Sequence, residues 1–425
     1  AGVKFLFLSY YWLPSGKASI HLPLDLIRHF VRAGHQCTVL TVEEDGFTQK
    51  DQDAVVTVPD SVAVHRTFTL EPFMLYKLFI GKKPGEQLVA SETISKENTS
   101  LAHKISLWIR LNLFIPDARI GWYPFAVKKG RELLQKTPYD AIISIGPPHS
   151  VHLAARKLSK KSGIPYIPIF IDPWVDIAYY KGLQRSRCTQ RIDSKLERRT
   201  VEDALFTVLV TETLLHDFQQ KYPTHADRMH TLYWGYDEDR FPESFKKVSG
   251  DERVILHAGN IFDFQNPASF WKEVKRRVDS GEQFRIRFIG TVAPSVKASI
   301  REHGLDTITE YKGFLPYRDA VKEMQLADYL LVCATEPRHT PGKLFEYLRT
   351  HNRIIAYGED NREVAQILEK SGCGRLYRYD ENASDTLDAG PVTAPDIDFI
   401  TSFDRSKIAT RLITLIEQAK KGIKN

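Results

Sequence analysis

Residues 329–357 read YLLVCATEPRHTPGKLFEYLRTHNRIIAY. The apolar run Tyr329–Cys333 leads into a charged loop, a helix-like stretch and a second apolar run, Ile354–Tyr357. Strand, helix and strand in that order form a crossover unit of a parallel sheet. Within the helix-like stretch, Thr340 is expected as N-cap, Pro341 at the first helical position, and Gly342 beside it with no side chain in the way. The free N–H groups of such a first turn favour an anion, and Lys343 adds a positive charge there. Three residues on, Glu346 interrupts an apolar run. Pyrophosphate on the helix end and ribose hydroxyls on the acid would suit a nucleotide sugar. An ordinary capped helix, with a Lys–Glu pair three apart on its solvent face, is the competing reading.

Outward from this unit the same alternation recurs. Upstream it predicts strand Val254–Ala258, helix Pro267–Val278, strand Arg285–Ile289, helix Ser295–Glu302, strand Ile308–Lys312 and helix Tyr317–Leu326. Downstream come helix Arg362–Lys370, a strand near Arg375–Tyr377, a loop over 380–398 and a basic-ended helix from Phe403. An earlier series starts with strand Val3–Leu8, a loop, helix Ser19–Ala33 and strand Gln36–Val42, with short β segments at Val55–Val58 and Val62–Thr67. It resumes with helix Pro124–Lys136, strand Ala141–Ile145, helix Ser150–Lys161, strand Tyr166–Ile171, helix Gln190–Glu202, strand Leu205–Val210, helix Glu212–Lys221 and strand Met229–Leu232. Residues 70–118 fit poorly and read as an irregular insertion. Residues 235–250 are polar and aperiodic, and read as a linker. Two such series imply an α/β fold of two doubly wound, Rossmann-like domains, 1–234 and 251–402. Ligands of these sheets bind beyond the carboxyl ends of the strands, which gives the candidate residues a shared address in a cleft between domains.

Several loops fall at such ends. After the first strand, Gly16 permits close backbone approach and Lys17 offers charge; a plain βα turn explains them as well. Gly146-Pro147-Pro148-His149-Ser150 is a stiff loop whose histidine can meet a phosphate or a sugar hydroxyl, unless Ser150 simply caps a helix. Asp172-Pro173-Trp174 offers a carboxylate and an aromatic face to carbohydrate, or else an Asx-type turn with a core tryptophan. In the second series, Gly259 and Asn260 end the first strand. Gly313-Phe314-Leu315-Pro316 could offer backbone groups to a base, or be a turn before a helix. Glu336-Pro337-Arg338-His339, just before Thr340, is placed to contact a transferred sugar or its pyrophosphate.

The segment from Lys104 to Lys136 interleaves Trp108, Phe114, Trp122, Tyr123 and Phe125 with seven Lys and Arg. That mixture suits anionic lipid headgroups or a lipid-linked acceptor, or a helix pair packing its aromatics inward. The whole chain of 425 residues has 42% hydrophobic and 26% charged residues, enough for two ordinary cores. Its net charge of +6 permits an anionic partner without demanding nucleic acid. Four separated cysteines show no metal-ligand or redox spacing, which predicts buried thiols in a reduced, cytoplasmic protein. Ala1–Leu13 reads as a first strand rather than a signal peptide, and no stretch is long enough to span a bilayer. There is no Walker loop, no complete G-x-G-x-x-G, no H-E-x-x-H and no G-x-S-x-G. No Asp-x-Asp pair sits at a strand end to hold a metal on a diphosphate, so no metal and no cofactor are expected.

Taken in order, these segments resemble the bacterial glycosyltransferases of the GT-B fold, specifically the retaining class known as family four. The resemblance rests on Pro14-Ser15-Gly16, Gly34 to Thr41, Ser144 to Ser150 with Asp172-Pro173-Trp174, Gly235-Tyr236-Asp237, and Lys343 to Leu348 followed by Arg353-Ile354-Ile355. It implies a nucleotide-sugar donor held by the C-terminal domain, an acceptor held by the N-terminal domain, and a terminal helix, 403–425, crossing back to the latter. Glu346 matches the family's ribose-binding glutamate, and His149 falls near its N-domain histidine. The family's other glutamate, eight positions earlier, is Arg338 here. Its Arg–Lys pyrophosphate clamp is replaced by a stretch holding Asn260 and Asp263, so Lys343 and Arg338 are left to supply positive charge. The expected activity is transfer of a hexosyl unit to a hydroxyl acceptor, without metal and with retention. His149, Asp172 and Arg338 are then the catalytic candidates. Gly16, Asn260, Phe314, Leu315, Thr340, Gly342, Lys343 and Glu346 are the donor-binding candidates. The setting implied is surface-polysaccharide or glycolipid synthesis at the inner face of a membrane, with peripheral contact through 104–136. A nucleotide-sugar epimerase on the same scaffold, or a non-catalytic nucleotide-sugar-binding partner protein, are the alternatives.

Overall fold

The structure is a computed structural model that describes residues 2–47, 57–71, 101–177, 180, 182–248 and 250–424. The core of the expected segment Val55–Val58 and most of the expected insertion lie outside these residues. The chain forms two compact units, Ala1–Leu232 with Ala409–Asn425, and Tyr233–Ile408.

The first unit carries a seven-stranded parallel sheet. Its strands are β1 (Lys4–Ser9), β2 (Gln36–Val42), β3 (Ala63–Thr67), β4 (Ala141–Gly146), β5 (Tyr166–Phe170), β6 (Thr207–Leu209) and β7 (Met229–Thr231), ordered β3-β2-β1-β4-β5-β6-β7. Phe5 pairs with Cys37 on one side and Ala141 on the other, so β1 is central. The strand order reverses between β1 and β4, which makes their carboxyl ends the switch point of this sheet.

The second unit repeats the plan with six parallel strands. These are β8 (Arg253–Ala258), β9 (Phe284–Ile289), β10 (Thr309–Tyr311), β11 (Tyr329–Cys333), β12 (Arg353–Tyr357) and β13 (Gly374–Tyr377), ordered β10-β9-β8-β11-β12-β13. Its switch point lies between β8 and β11. The continuous apolar runs make sense because both faces are covered. On β11, Leu330 and Val332 enter one core while Tyr329, Leu331 and Cys333 enter the other. Ile354 and Ala356 of β12 divide from Ile355 and Tyr357 in the same way.

Two loop expectations need correction. Residues 235–241 are no free tether. Tyr236 is buried, its N–H donates to the Phe403 carbonyl, and its own carbonyl accepts from Arg405 N–H. Gly235 has φ +67°, and a methyl there would lie 2.2 Å from the Phe403 oxygen. One buried tyrosine in a polar stretch leaves no periodic signal, so the segment read as linker. Within 380–398, helices form at Ser384–Ala389 and from Ile397 to Thr401. Each is one to two turns long, too short for apolar periodicity to show. The last helix, Arg405–Lys424, gives its residues from Ala409 onward to the first unit, where Lys420 meets Asp140 at 3.2 Å.

Candidate functional site

In the second unit the helix Gly342–Thr350 springs from the loop after β11, at the sheet's switch point. Leu344, Phe345, Tyr347 and Leu348 bury its inner face. Tyr347 does more than fill space. Its hydroxyl donates to the Leu331 carbonyl (3.0 Å) and accepts from Ala258 N–H (2.9 Å), just where pairing between β8 and β11 stops. That side chain fixes the helix against both strands.

The helix begins one residue later than expected. Pro341 occupies the N-cap in extended conformation, and no side chain caps this end. Thr340 therefore does not cap; its hydroxyl is buried without a hydrogen-bond partner. The proline ring can cap no N–H, and its carbonyl accepts only from Leu344 N–H, so the amides of Gly342 and Lys343 stay available to a ligand. The Trp234 indole lies against Gly342, with Nε1 3.3 Å from where a methyl would sit. The stem of Lys343 lies over Gly259 at the end of β8.

One turn in, Glu346 accepts from the Lys343 ammonium at 3.1 Å. The pair is not on a solvent face: the Glu346 side chain is 15% exposed. Tyr317, the first residue of helix Tyr317–Leu326, hydrogen-bonds the same carboxylate. Burial, and then the Glu346 charge, raise its pKa, so the phenol stays protonated and donates. The Arg240 guanidinium lies 4.9 Å and the Lys343 ammonium 5.4 Å from the centre of the Tyr317 ring. Glu346 is thus held by two donors inside a cationic surround, with lone pairs left to accept more. Replacing Tyr317 with Phe is expected to weaken nucleoside diphosphate binding about fivefold by loosening Glu346, in line with the net worth of one hydrogen bond. Isothermal titration of the variant against wild type measures this.

The neighbouring strand ends are tightly joined. Gly290 N–H donates to the Gly313 carbonyl, and its φ of +103° goes with a close approach to the Gly259 carbonyl. Asn260 uses Oδ1 to accept from Thr291 N–H at 3.0 Å, so it ties two loops together and presents its amide nitrogen elsewhere. Phe314 is 91% exposed, while Leu315 packs on the core of this unit. Arg338 is exposed in the 335–340 loop, which Asn361 holds by donating to the Glu336 and His339 carbonyls.

The first unit places its candidates differently. Gly16 is exposed after β1 and Asp172 is exposed after β5. His149 follows β4 but is buried, its ring stacked on Trp174 at 5.1 Å with 1° between planes. Burial pushes its pKa down to about 3, against a small opposing effect of the Pro173 backbone. Neither ring nitrogen has a hydrogen bond of good geometry, only a weak interaction with the Pro173 backbone. A charged histidine seated on phosphate does not fit this position; a neutral imidazole that accepts or donates one hydrogen bond does. Trp174 is a core residue. It is 1% exposed, its indole donates to Asp193 at 2.6 Å, and one ring face is covered by His149, so it offers no platform to a sugar. Gly146 is required by packing, since a methyl would lie 2.4 Å from His152 Nε2 and 2.8 Å from His149 Nδ1.

The basic and aromatic segment 104–136 is not one surface. Trp122 is fully buried and donates to Thr67, and Arg119 pairs with Glu71 in the interior. Sequence reasoning missed Trp234, Arg240, Tyr317 and Tyr347. The first two lie in or beside the stretch read as linker, and the tyrosines carry no local motif. Among the described residues no group of three or more His, Cys, Asp or Glu could hold a metal ion, and no helix is long and apolar enough to cross a membrane.

No protein-family model matches the sequence, and no curated protein matches it either. Solved structures do. Sucrose-phosphate synthase from Thermosynechococcus elongatus aligns over 99% of this chain and 100% of its own, at 11% identity and a TM-score of 0.60. Anabaena HepE in complex with UDP and glucose aligns over 99% of both chains, at 11% identity and a TM-score of 0.57. A putative UDP-N-acetylglucosamine 2-epimerase from Listeria monocytogenes covers 99% of this chain and 98% of its own, at 12% identity and a TM-score of 0.53. At such identities the likeness is one of fold, and it extends over the whole chain: two Rossmann-like domains of the GT-B type.

Proposed function

We propose that the chain is a glycosyltransferase that moves a sugar from a nucleoside diphosphate sugar to a hydroxyl acceptor. The observation that carries this reading is Glu346, half-buried, held by Lys343 and Tyr317, and one turn inside an uncapped helix start at a sheet switch point. The carboxylate accepts the ribose hydroxyls while the amides of Gly342 and Lys343 receive the diphosphate. The whole-chain likeness to HepE, solved with UDP and glucose, supports the same ligand class.

In the reaction the bond from the sugar's anomeric carbon to the diphosphate oxygen breaks, and a bond to the acceptor oxygen forms. Negative charge grows on the leaving diphosphate. The Gly342 and Lys343 amides, the Lys343 ammonium and Arg338 stabilise it, so the protein's own cations do this work rather than a metal. The first unit holds the acceptor, a glycan or a lipid-linked saccharide, near His149 and Asp172. Retention of the anomeric configuration follows if the acceptor attacks from the side the diphosphate leaves. The departing phosphate then takes the acceptor's proton.

A thermal-shift screen of nucleoside diphosphate sugars tests donor binding. A donor at about a hundredfold excess over its Kd adds ~2.7 kcal/mol of stability and raises the melting point of the second unit by roughly 5–10 °C. Transfer from the donor that binds is then assayed on acceptor saccharides, with the anomer read by proton NMR. The likeness to the putative 2-epimerase keeps a second reading in play. Donor incubated without acceptor yields an isomeric nucleotide sugar if that reading holds, and at most slow hydrolysis if the transferase reading does.

A further inference from the structure

A diphosphate brings several charged oxygens to the helix start at Gly342, and each one left without a donor costs affinity. The second unit has few donors there. The Gly342 and Lys343 amides are two of them. The Lys343 ammonium is shared with Glu346 at 3.1 Å, and Arg338 stands in the loop before the helix. The loop after β8 adds no charge of the right sign, since Gly259 to Pro267 contains no Lys, Arg or His. Its Asn260 accepts from Thr291 N–H, and its Asp263 accepts from the Ser295 hydroxyl.

Trp234 sets another N–H at this place. The pyrrole edge of its indole faces Gly342, so that a methyl on the glycine would lie 3.3 Å from Nε1 and 3.4 Å from Cδ1. Any side chain at 342 would press on the indole. The ring is held from its face by Arg405, whose guanidinium lies 5.1 Å from the ring centre and donates to the Trp234 carbonyl at 2.9 Å. Other indoles of the chain find acceptors within it: Trp122 donates to Thr67, Trp174 to Asp193 and Trp271 to Asn266. Trp234 is half-buried, and among the described residues nothing accepts from its N–H. That nitrogen is open to solvent rather than sealed in the core. An indole packed along its apolar body and open at its N–H is suited to meet a polar ligand.

We infer that the Trp234 indole N–H is a third N–H donor to the diphosphate of the nucleotide sugar, beside the Gly342 and Lys343 amides. The inference deepens the transferase reading and rests on it. Indole suits the task because it donates and cannot accept, so it turns no lone pair toward the phosphate. It is neutral, so Glu346 does not draw it away as it draws the Lys343 ammonium. A hydrogen bond to a charged oxygen strengthens as the charge grows, and charge grows on the diphosphate as the sugar leaves. Loss of this donor therefore lowers kcat as well as raising KM, unlike loss of a ribose contact. A nucleoside without phosphate gains nothing from it.

The test titrates the full chain with UDP, ADP, GDP and CDP and with the matching nucleosides. Wild type is expected to bind one of the diphosphates. Trp234→Phe keeps an aromatic ring beside Arg405 but has no N–H, and should bind that diphosphate at least about tenfold more weakly. Its affinity for the nucleoside should not change. Glu346→Ala is the mirror control, because it should lose affinity for both compounds. An independent reading follows wild type by NMR with isotope-labelled tryptophan. The indole proton signal of Trp234, assigned by its absence from Trp234→Phe or Trp234→Tyr, should move downfield on addition of the diphosphate and stay in place with the nucleoside. Unchanged diphosphate binding by Trp234→Phe overturns the inference and leaves the transferase reading standing. So does an equal loss for diphosphate and nucleoside, since the ring would then only pack the helix, and so does an indole signal indifferent to the diphosphate. If wild type binds none of the diphosphates, the proposed function itself fails and this inference falls with it.

Discussion

Replacing Glu346 with Ala will weaken nucleoside diphosphate binding by about 100-fold. A carboxylate that accepts two ribose hydroxyls makes two hydrogen bonds with a charged partner, each worth ~1.5 kcal/mol or more. Together they amount to at least ~3 kcal/mol, or roughly two powers of ten. The side chain is ready for this, since Lys343 at 3.1 Å and the Tyr317 hydroxyl already fix its orientation. Little reorganisation entropy is then spent on binding. A ribose contact is equally strong in the ground and transition states, so KM should rise while kcat changes little. The discriminating control is a 2′,3′-dideoxy nucleoside diphosphate. Wild type should lose about the same factor on this analogue, and the Glu346→Ala protein should bind both compounds alike. If wild type is indifferent to the missing hydroxyls, the ribose assignment is wrong.

Acid should unfold the first unit partly through its buried histidines, and His149→Phe should flatten that dependence. His149 is held neutral in the folded state, with its pKa lowered from 6.5 to about 3 by burial. Once unfolded it takes up a proton below pH 6.5. Its contribution is therefore intact above that pH and is lost as pH falls toward 3. The slope is ~1.4 kcal/mol per pH unit, or about 2 kcal/mol between pH 6.5 and 5. His152, buried beside it and hydrogen-bonded to Ser144, is also lowered and acts in the same direction. Asp117 and Asp193 are raised by burial and act with the opposite sign, because they keep protons in the folded state. The total slope mixes these effects, so the variant is compared by difference. A phenylalanine keeps a flat ring against Trp174 but cannot titrate. Urea unfolding of both proteins at pH 7 and pH 5, followed by tryptophan fluorescence, should show the variant losing about 2 kcal/mol less. Parallel losses would mean that His149 titrates normally in the folded chain.

How much of this was legible beforehand depended on whether a residue's role was local. Central strands such as β5 and β11 stand as apolar runs of five residues, and helices such as Glu212–Lys221 and Tyr317–Leu326 begin and end where periodicity placed them. Lys343 and Glu346 could be named because they share a helix turn with the Pro341-Gly342 start. Tyr317, Arg240 and Trp234 could not, being scattered over about eighty positions and meeting only through folding. Trp174 failed in the other direction. Its loop had the composition of a binding turn, and nothing local reveals that the His149 ring covers one face of the indole.

The sequence by itself determined the two alternating series, and with them two parallel doubly wound sheets, because period and chain direction are properties of neighbouring residues. It also determined that a helix with a proline–glycine start and an internal acid follows β11. The tertiary structure alone decided which side chains are open to solvent and which are interior. It pointed Glu346 at Tyr317, sealed Trp174 under His149, and set Trp234 against Gly342. Burial and charge pairing are sums over contacts made by distant segments, and only the packed chain sets those contacts.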